Sequence, residues 1–321
     1  MKLILIEKVA AVYCALTCVL MVVMMPRLVD PVGMLLMRVE WLALTIAVIL
    51  AQRFIDQYLS SPDRGRLGGG LFLRVLAQMA WLPQWYPDTY EFNRSLPNLD
   101  HLFAAAEQWL FGCQPSIEFS QALPGALWSE AFNFGYWSYF PMIAALVITV
   151  FFIDRKSGDP TRFLRIAAII QTAFFLYYII YIFLPVTGPQ FYFQAVGIDE
   201  ILQGHFPAVG TYFSSHTEML PAPGWNDGLF SRLVAMAHEA GERPTAAFPS
   251  SHIGISTLVM LLARRHVPKI LPYLLPCWAL LCCATVYIQA HYLIDAIAGL
   301  LSAPLILWLA TRLTQSKKSD Q

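Results

Sequence analysis

The sequence predicts an all-α membrane protein, a polytopic helical bundle with about eight transmembrane helices and additional amphipathic helices at the interface. Hydrophobic residues make up 57% of the 321 residues and charged residues only 13%, whereas about 25% of an average soluble domain is charged. Mean hydropathy is +0.55, and apolar runs recur at lengths close to the roughly 20 residues that cross a bilayer. Lysine and arginine concentrate in alternate connections, as expected if those connections share the cytoplasmic side.

Eight apolar runs are predicted to span the membrane. The first occupies the position of a signal peptide, but residues 24–27 (Met-Met-Pro-Arg) are not a small-residue cleavage site, which favours an uncleaved span. The third run is shorter and less apolar than the first two. The predicted spans cover residues 9–25, 32–54, 71–85, 136–153, 166–184, 253–263, 270–287 and 293–313.

The distribution of basic residues predicts the orientation. Eight spans put 16 of the 21 lysines and arginines on one face, which by the positive-inside rule is the cytoplasmic face. If the run at 71–85 did not span, the first two spans would have the opposite orientation, and the asymmetry of basic residues between the two faces would be lost. Both termini are therefore predicted to be cytoplasmic, and residues 185–247 to face the periplasm or lumen. The five basic residues predicted on the opposite face are Arg27, Arg38, Arg94, Arg232 and Arg243.

Other segments are predicted to lie at the membrane surface. Residues 100–111 give a helix with one apolar face, and such a helix beside a membrane protein usually lies in the interface. Residues 123–134 are expected to do the same, the aromatic residues from 132 to 140 to form an interfacial belt, and residues 227–240 to be amphipathic. The loop histidines expected to be surface or interface groups are His101, His205, His216 and His238.

Charge and cysteine content narrow the function classes. The 21 basic residues balance 21 acidic ones, so the chain lacks the basic field that nucleic-acid binding needs. Five of the six cysteines lie in apolar runs, where cysteine behaves as a small hydrophobic residue. Their positions match neither a disulfide framework nor a zinc site.

The candidate chemistry lies between residues 248 and 295. If the two apolar runs in this stretch cross the membrane and return, His252 and His291 meet at the outward face. His291 and Asp295 are four apart, so on a helix they stack on one face. A carboxylate one turn away can accept the proton of one ring nitrogen and leave the other as a nucleophile.

Residues 249–252 (Pro-Ser-Ser-His) are typical of a helix start, where serine caps and proline suits the first turn. Free backbone N–H groups there form an anion site suited to phosphate, and His252 could protonate a leaving oxygen. Two alternatives stay open: a proton relay in a transporter, and an iron site of two histidines and a carboxylate. The serine cap favours phosphate, and no inverted repeat of a transporter is visible.

The segments 248–252 (Phe-Pro-Ser-Ser-His) and 291–295 (His-Tyr-Leu-Ile-Asp) resemble the second and third signatures of the type 2 phosphatidic acid phosphatase superfamily. Residues 284–292 look most like its inositol phosphorylceramide synthase branch and the bacterial relatives of that branch. Residues 111–116 and 184–189 also resemble that branch. The resemblance covers roughly residues 99–313.

The resemblance implies a six-helix catalytic core that acts without metal or cofactor. It implies His291 as a nucleophile that forms a phosphohistidine, Asp295 as its orienter, and His252 as general acid and then base. The expected organisation is residues 1–70 as two N-terminal spans outside the resemblance, 71–315 as the catalytic membrane domain, and 316–321 as a cytoplasmic polar tail.

Departures from the family pattern bear on the substrate. Thr285 stands where the third signature usually has arginine, and residues 185–193 contain no cation. A phosphomonoester carries up to two negative charges and a diester one, so a less cationic pocket favours a diester. Arg243 could restore one cation. The substrate-binding residues expected are Ser250, Ser251, Arg243, Thr285, Tyr292, Gly188 and Pro189.

These expectations combine into a metal-independent lipid phosphotransferase. It would pass a phosphorylated head group, such as phosphoinositol, from a phospholipid to a ceramide- or diacylglycerol-like acceptor, in sphingolipid metabolism. The alternative is a lipid phosphate phosphatase that releases inorganic phosphate, and the alternative of a different class is a proton-coupled transporter. Membrane lipids are the expected partners, and the sequence indicates no protein partner.

Overall fold

The computed structural model describes residues 2–58 and 68–315, and these residues form helices and connections without a β-strand. This confirms the predicted all-α bundle. The basic stretch around Arg64 and Arg66 and the polar tail at 316–321 lie outside the described residues. The helices are α1 Leu5–Met24, α2 Pro31–Tyr58, α3 Gly69–Trp81, α4 Tyr86–Asn93, α5 Asp100–Phe111, α6 Pro115–Ala122, α7 Ala126–Trp137, α8 Tyr139–Ser157, α9 Thr161–Phe183, α10 Pro189–Val196, α11 Ile198–Leu202, α12 Leu229–Gly241, α13 Ser251–His266, α14 Leu271–Tyr287 and α15 Leu293–Leu313.

Several helices can cross a membrane. In the described part of the chain, five stretches are long and apolar enough, and they contain α1, α2, α9, α14 and α15. The pair α7–α8, bent by 44° at Ser138, is a broken span, which would be a sixth, or a re-entrant loop. The other two predicted spans are shorter helices, α3 with 13 residues and α13 with 16. The total of eight spans stays a prediction.

Helix α9 is the centre of the bundle. Of its most apolar window 78% is buried, against 22% to 33% in the other four single-helix spans. It packs against α1, α4, α8, α13 and α15, and its aromatic residues form much of the largest hydrophobic core. Because α13 packs on both α9 and α15, the start of α13 is fixed from two sides.

Two buried ion pairs join the N-terminal helices to one another and to α4. Glu7 of α1 pairs with Arg74 of α3, and Arg38 of α2 pairs with Asp88 of α4 at 2.7 Å between Nη2 and Oδ2. Charged groups in apolar surroundings stay charged only when paired in this way. Helices α1–α3 therefore pack as part of the bundle.

The segments predicted at the surface have different outcomes. Helix α5 has the predicted bounds, Asp100–Phe111, and Trp109 on its apolar face is 83% exposed, as expected of a helix that rests on lipid. Residues 123–134 lie mostly in α7, which packs along α14, and their position at the interface stays a prediction. Gly135 allows this close approach, since a Cβ there would lie 2.6 Å from the backbone of Leu280.

Candidate active site

The two predicted histidines meet. His291 Nε2 lies 3.4 Å from His252 Nδ1, and the ring centroids are 5.6 Å apart. His252 is in the first turn of α13, and His291 is in the short connection between α14 and α15. The return of α14 after α13 brings the two connections to the same end of the bundle.

A backbone carbonyl sets the orientation of His291. Its Nδ1 lies 2.8 Å from the oxygen of Ala247, which can only accept, so Nδ1 carries the proton and donates. Its backbone N–H donates to Thr285 O at 3.0 Å, and the residue is 3% exposed. The remaining lone pair, on Nε2, therefore faces His252.

Asp295 does not lie on a common helix face with His291, as the four-residue spacing predicted. Helix α15 begins only at Leu293, because Asp295 Oδ2 accepts the backbone N–H of Tyr292 at 2.9 Å and caps the helix start. This oxygen is 3.7 Å from His291 Nδ1, farther than the Ala247 carbonyl. The Asp295 carbonyl also accepts Ser250 N–H at 3.0 Å, which joins the starts of α13 and α15.

The predicted helix start at 249–252 is present. Ser250 is the N-cap of α13, and its side chain accepts the N–H of Ile253. The backbone N–H of Ser251 interacts with the Tyr181 hydroxyl, whereas in the described part of the chain the N–H of His252 has no acceptor. The His252 N–H is a free donor at a helix N-terminus, a position where proteins bind phosphate.

An aromatic wall surrounds His252. The rings of Tyr136 and Tyr139 lie 4.8 and 4.7 Å from the His252 ring, centroid to centroid. His238 packs edge-on against Tyr136 at 5.7 Å. It is only 8% exposed, and its Nε2 has no partner in the described part of the chain. The expectation of a surface position is wrong for His238, because α12 packs on α7, and the interfacial position of the aromatic belt stays a prediction.

Two of the expected substrate-binding residues have other partners. Thr285 is fully buried, and its hydroxyl donates to Cys282 O within its own helix at 3.1 Å. Arg243 donates from Nη1 to Glu242 O at 3.0 Å, and the Glu242 carboxylate accepts Tyr86 O–H at 3.0 Å. The structure therefore brings Ser250 and Ser251 to the histidines, while Thr285 contributes only its carbonyl.

A buried carboxylate that the sequence did not single out organises Gly188, Pro189 and Tyr292. Asp100 accepts N–H bonds from Thr187 and Gly188 at 2.7 and 2.8 Å and the Tyr292 O–H at 3.1 Å. Gly188 adopts φ 94° and begins α10 at Pro189. A Cβ there would lie 2.5 Å from Ala290 O, beside His291, so only glycine fits.

We expect Asp100→Asn to lower the free energy of unfolding by about 2 kcal/mol, because an amide NH₂ would face backbone N–H donors that need an acceptor. Turnover should fall as well, since residues 185–189 and Tyr292 lose their common anchor. Thermal unfolding in detergent and an activity assay measure both effects. Asp199→Asn, on an exposed carboxylate, is the matched control, and equal stability of the two variants would contradict this account.

Burial lowers the pKa of His291 to about 4, against the opposing effects of the Ala247 hydrogen bond and the charge of Glu242. The neutral, nucleophilic form therefore persists down to that pH and is lost only below it. We expect the acidic limb of kcat/KM, which reports the free enzyme, to fall near pH 4. An acidic limb near the ordinary histidine value of about 6.5 would be inconsistent with this environment.

The arrangement has the parts of a group-transfer site. His291 has its proton fixed on Nδ1 and a lone pair directed at His252, and the free backbone N–H of His252 lies at the same helix start. In the described residues no group of three His, Cys, Asp or Glu side chains has the geometry of a metal site.

A family model of the PAP2 superfamily matches residues 100–309, well over half of the chain. The chain belongs to the PAP2 superfamily. No curated protein and no solved structure matches it. The PAP2 match includes His252, His291 and Asp295, and it begins at α5, so α1–α4 precede it. PAP2 membership supports a lipid phosphatase-type function for this membrane protein.

Proposed function

We propose that this PAP2 protein cleaves a lipid phosphate ester through His291 and transfers the phosphorylated head group to a second lipid alcohol. The observation that carries the proposal is the pairing of His291 Nε2 with His252 Nδ1 at 3.4 Å, while His291 Nδ1 donates to Ala247 O. Such a pair has one group ready to attack phosphorus and another within reach of the leaving oxygen.

In the first step, His291 Nε2 attacks phosphorus and an N–P bond forms. The bond from phosphorus to the diacylglycerol oxygen breaks, and His252 donates a proton to that oxygen. His291 becomes positively charged, and the Ala247 carbonyl and Asp295, 3.7 Å from Nδ1, stabilise this charge. Asp295 therefore acts by charge as well as by capping α15.

In the second step, His252 takes the proton of the acceptor hydroxyl. The acceptor oxygen attacks phosphorus, the N–P bond breaks, and both histidines return to their starting protonation states. With a ceramide- or diacylglycerol-like acceptor the product is a new lipid bearing the head group. With water it is the free phosphorylated head group or, from a monoester, inorganic phosphate.

The charge available to the substrate favours a diester donor such as a phosphoinositol lipid. Thr285 replaces an expected cation with a hydroxyl bonded inside α14. Arg243 donates only to the neutral Glu242 carbonyl, so it keeps its charge and can offset a single negative charge on the phosphate. The free N–H of His252 is a neutral donor, which suits a phosphate with one negative charge. This supports the likeness to the inositol phosphorylceramide synthase branch.

We further propose that the histidines face the periplasm or lumen and that both termini are cytoplasmic. The 16 lysines and arginines on one face of the eight-span arrangement support this orientation. The proposed domain arrangement is two N-terminal spans in residues 1–70, followed by the catalytic domain at 71–315 and a polar tail.

The test incubates pure protein in lipid vesicles with phosphatidylinositol or phosphatidic acid, with and without ceramide or diacylglycerol. Mass spectrometry identifies the products, a chelator is present throughout, and His291→Ala is the blank. An acceptor-dependent lipid with the transferred head group supports the proposal. Inorganic phosphate alone identifies a phosphatase, and transport without bond cleavage would overturn the enzymatic account.

A further inference from the structure

An apolar groove runs along the outside of the bundle between α3 and α8. Its volume is about 180 Å³, and all twelve side chains that line it are apolar. For scale, an engineered apolar cavity of about 150 Å³ is large enough to bind benzene. Leu76 and Ile148 of the lining are 49% and 40% exposed, so the groove opens towards the surrounding lipid.

One end of the groove lies beside the catalytic histidines. Phe140 and Phe174 line the groove, and both contact the ring of Tyr139, at 5.0 and 6.2 Å between centroids. Tyr139 in turn packs on His252 at 4.7 Å. A single aromatic ring therefore separates the groove from the site of phosphoryl chemistry.

From this end the groove follows the helices away from the histidines. Its lining on α8 extends from Phe140 to Ile148. These two residues are eight positions apart, or about 12 Å at the helical rise of 1.5 Å per residue. Phe72 lines the far part of the groove on α3 and lies 4.4 Å from the ring of Phe151, a turn beyond Ile148. The long axis is thus parallel to the helices, the direction of a lipid chain.

We propose that this groove binds one hydrocarbon chain of the lipid whose phosphate His291 attacks. The inference rests on the proposed function and adds the site that holds the apolar part of the substrate. Three features select a lipid chain as occupant: an entirely apolar wall, an opening to the bilayer, and an end beside His252. One wall belongs to α3, which precedes the residues matched by the PAP2 superfamily, so the N-terminal region supplies part of the substrate site.

The first test fills the groove. Ala80 on α3 and Ala144 on α8 line it and are exposed, so Ala80→Phe and Ala144→Phe occupy the groove without disturbing the core. Ala47→Phe on the exposed face of α2, outside the lining, is the matched control. The substrates are phosphatidylinositol with two palmitoyl chains and phosphatidylinositol with two hexanoyl chains.

Each buried methylene contributes about fourfold to binding, so a phenyl ring that displaces two of them should lower kcat/KM for the palmitoyl lipid about 16-fold. The hexanoyl lipid should change less than about twofold, because its chains hardly enter the groove. Equal losses on both lipids, or no loss on either, would overturn the proposal. Unchanged melting temperatures exclude misfolding.

A second measurement does not need turnover. Phosphatidylinositol with a diazirine in one palmitoyl chain is photolysed with the protein, and the labelled peptides are sequenced. Adducts on α3 and α8 that disappear in Ala144→Phe support the groove. Adducts spread over α1, α2 and α15 indicate surrounding lipid only and refute it. If the protein labels in the groove but cleaves no lipid, the proposed function fails while the chain site stands.

Discussion

Replacement of His291 by alanine is expected to lower lipid turnover at least about 10³-fold, because loss of a covalent nucleophile removes the reaction path and leaves only binding and polarisation. His291 is buried, with Nδ1 held by Ala247 O and Nε2 facing His252. Of the two imidazole rings, the His291 ring is the one whose tautomer is fixed by a hydrogen bond to a backbone carbonyl. Purified variants are assayed with saturating phosphatidylinositol and ceramide.

Two controls separate chemistry from folding. His291→Gln offers an amide that can donate to Ala247 O, so it should keep the fold and still be inactive. His205→Ala removes a histidine that is 64% exposed and pairs only with Glu200, and it should retain full activity. If His291→Ala and His205→Ala turned over lipid equally, His291 would not be the nucleophile.

Replacement of His252 by alanine is expected to lower turnover of a natural lipid by about 10² to 10⁴, the usual contribution of general acid–base catalysis. His252 Nδ1 is 3.4 Å from His291 Nε2, and the rings of Tyr136 and Tyr139 pack against the imidazole of His252. In the proposed first step, His252 protonates an alkoxide, which is a poor leaving group.

A substrate that does not need that proton distinguishes this role from a structural one. Nitrophenolate leaves without protonation, so a nitrophenyl phosphodiester should restore the first step in His252→Ala but not in His291→Ala. Burst kinetics of nitrophenol release measure this step separately from transfer. Equal losses on the lipid and on the nitrophenyl ester would argue that His252 only supports the site.

Local signals in the sequence predicted the elements that depend on local chemistry. The amphipathic pattern at 100–111 predicted α5, and the serines at 250–251 predicted the N-cap of α13, which is Ser250. The apolar runs around residues 253–287 predicted that the two histidines meet. In each case the deciding interaction lies within a few residues or follows from a membrane crossing.

Contacts between distant segments were not predictable in this way. Ala247 O, the partner of His291, is a backbone atom 44 residues earlier, and backbone acceptors leave no pattern in side chains. Asp100 reaches Tyr292 across 192 residues. The spacing of His291 and Asp295 was misleading because Asp295 caps α15, so the helix that would have aligned them starts after His291.

The covalent intermediate is the most direct test of the account. Wild-type protein that is turning over phosphatidylinositol is stopped in denaturing alkali, since N–P bonds are labile in acid, and the peptide containing His291 is analysed by mass spectrometry. The account predicts an adduct on His291 that retains the inositol head group and is absent from His291→Ala. An adduct of bare phosphate would mark a phosphatase, and a peptide that stays unmodified during turnover would contradict the role of His291.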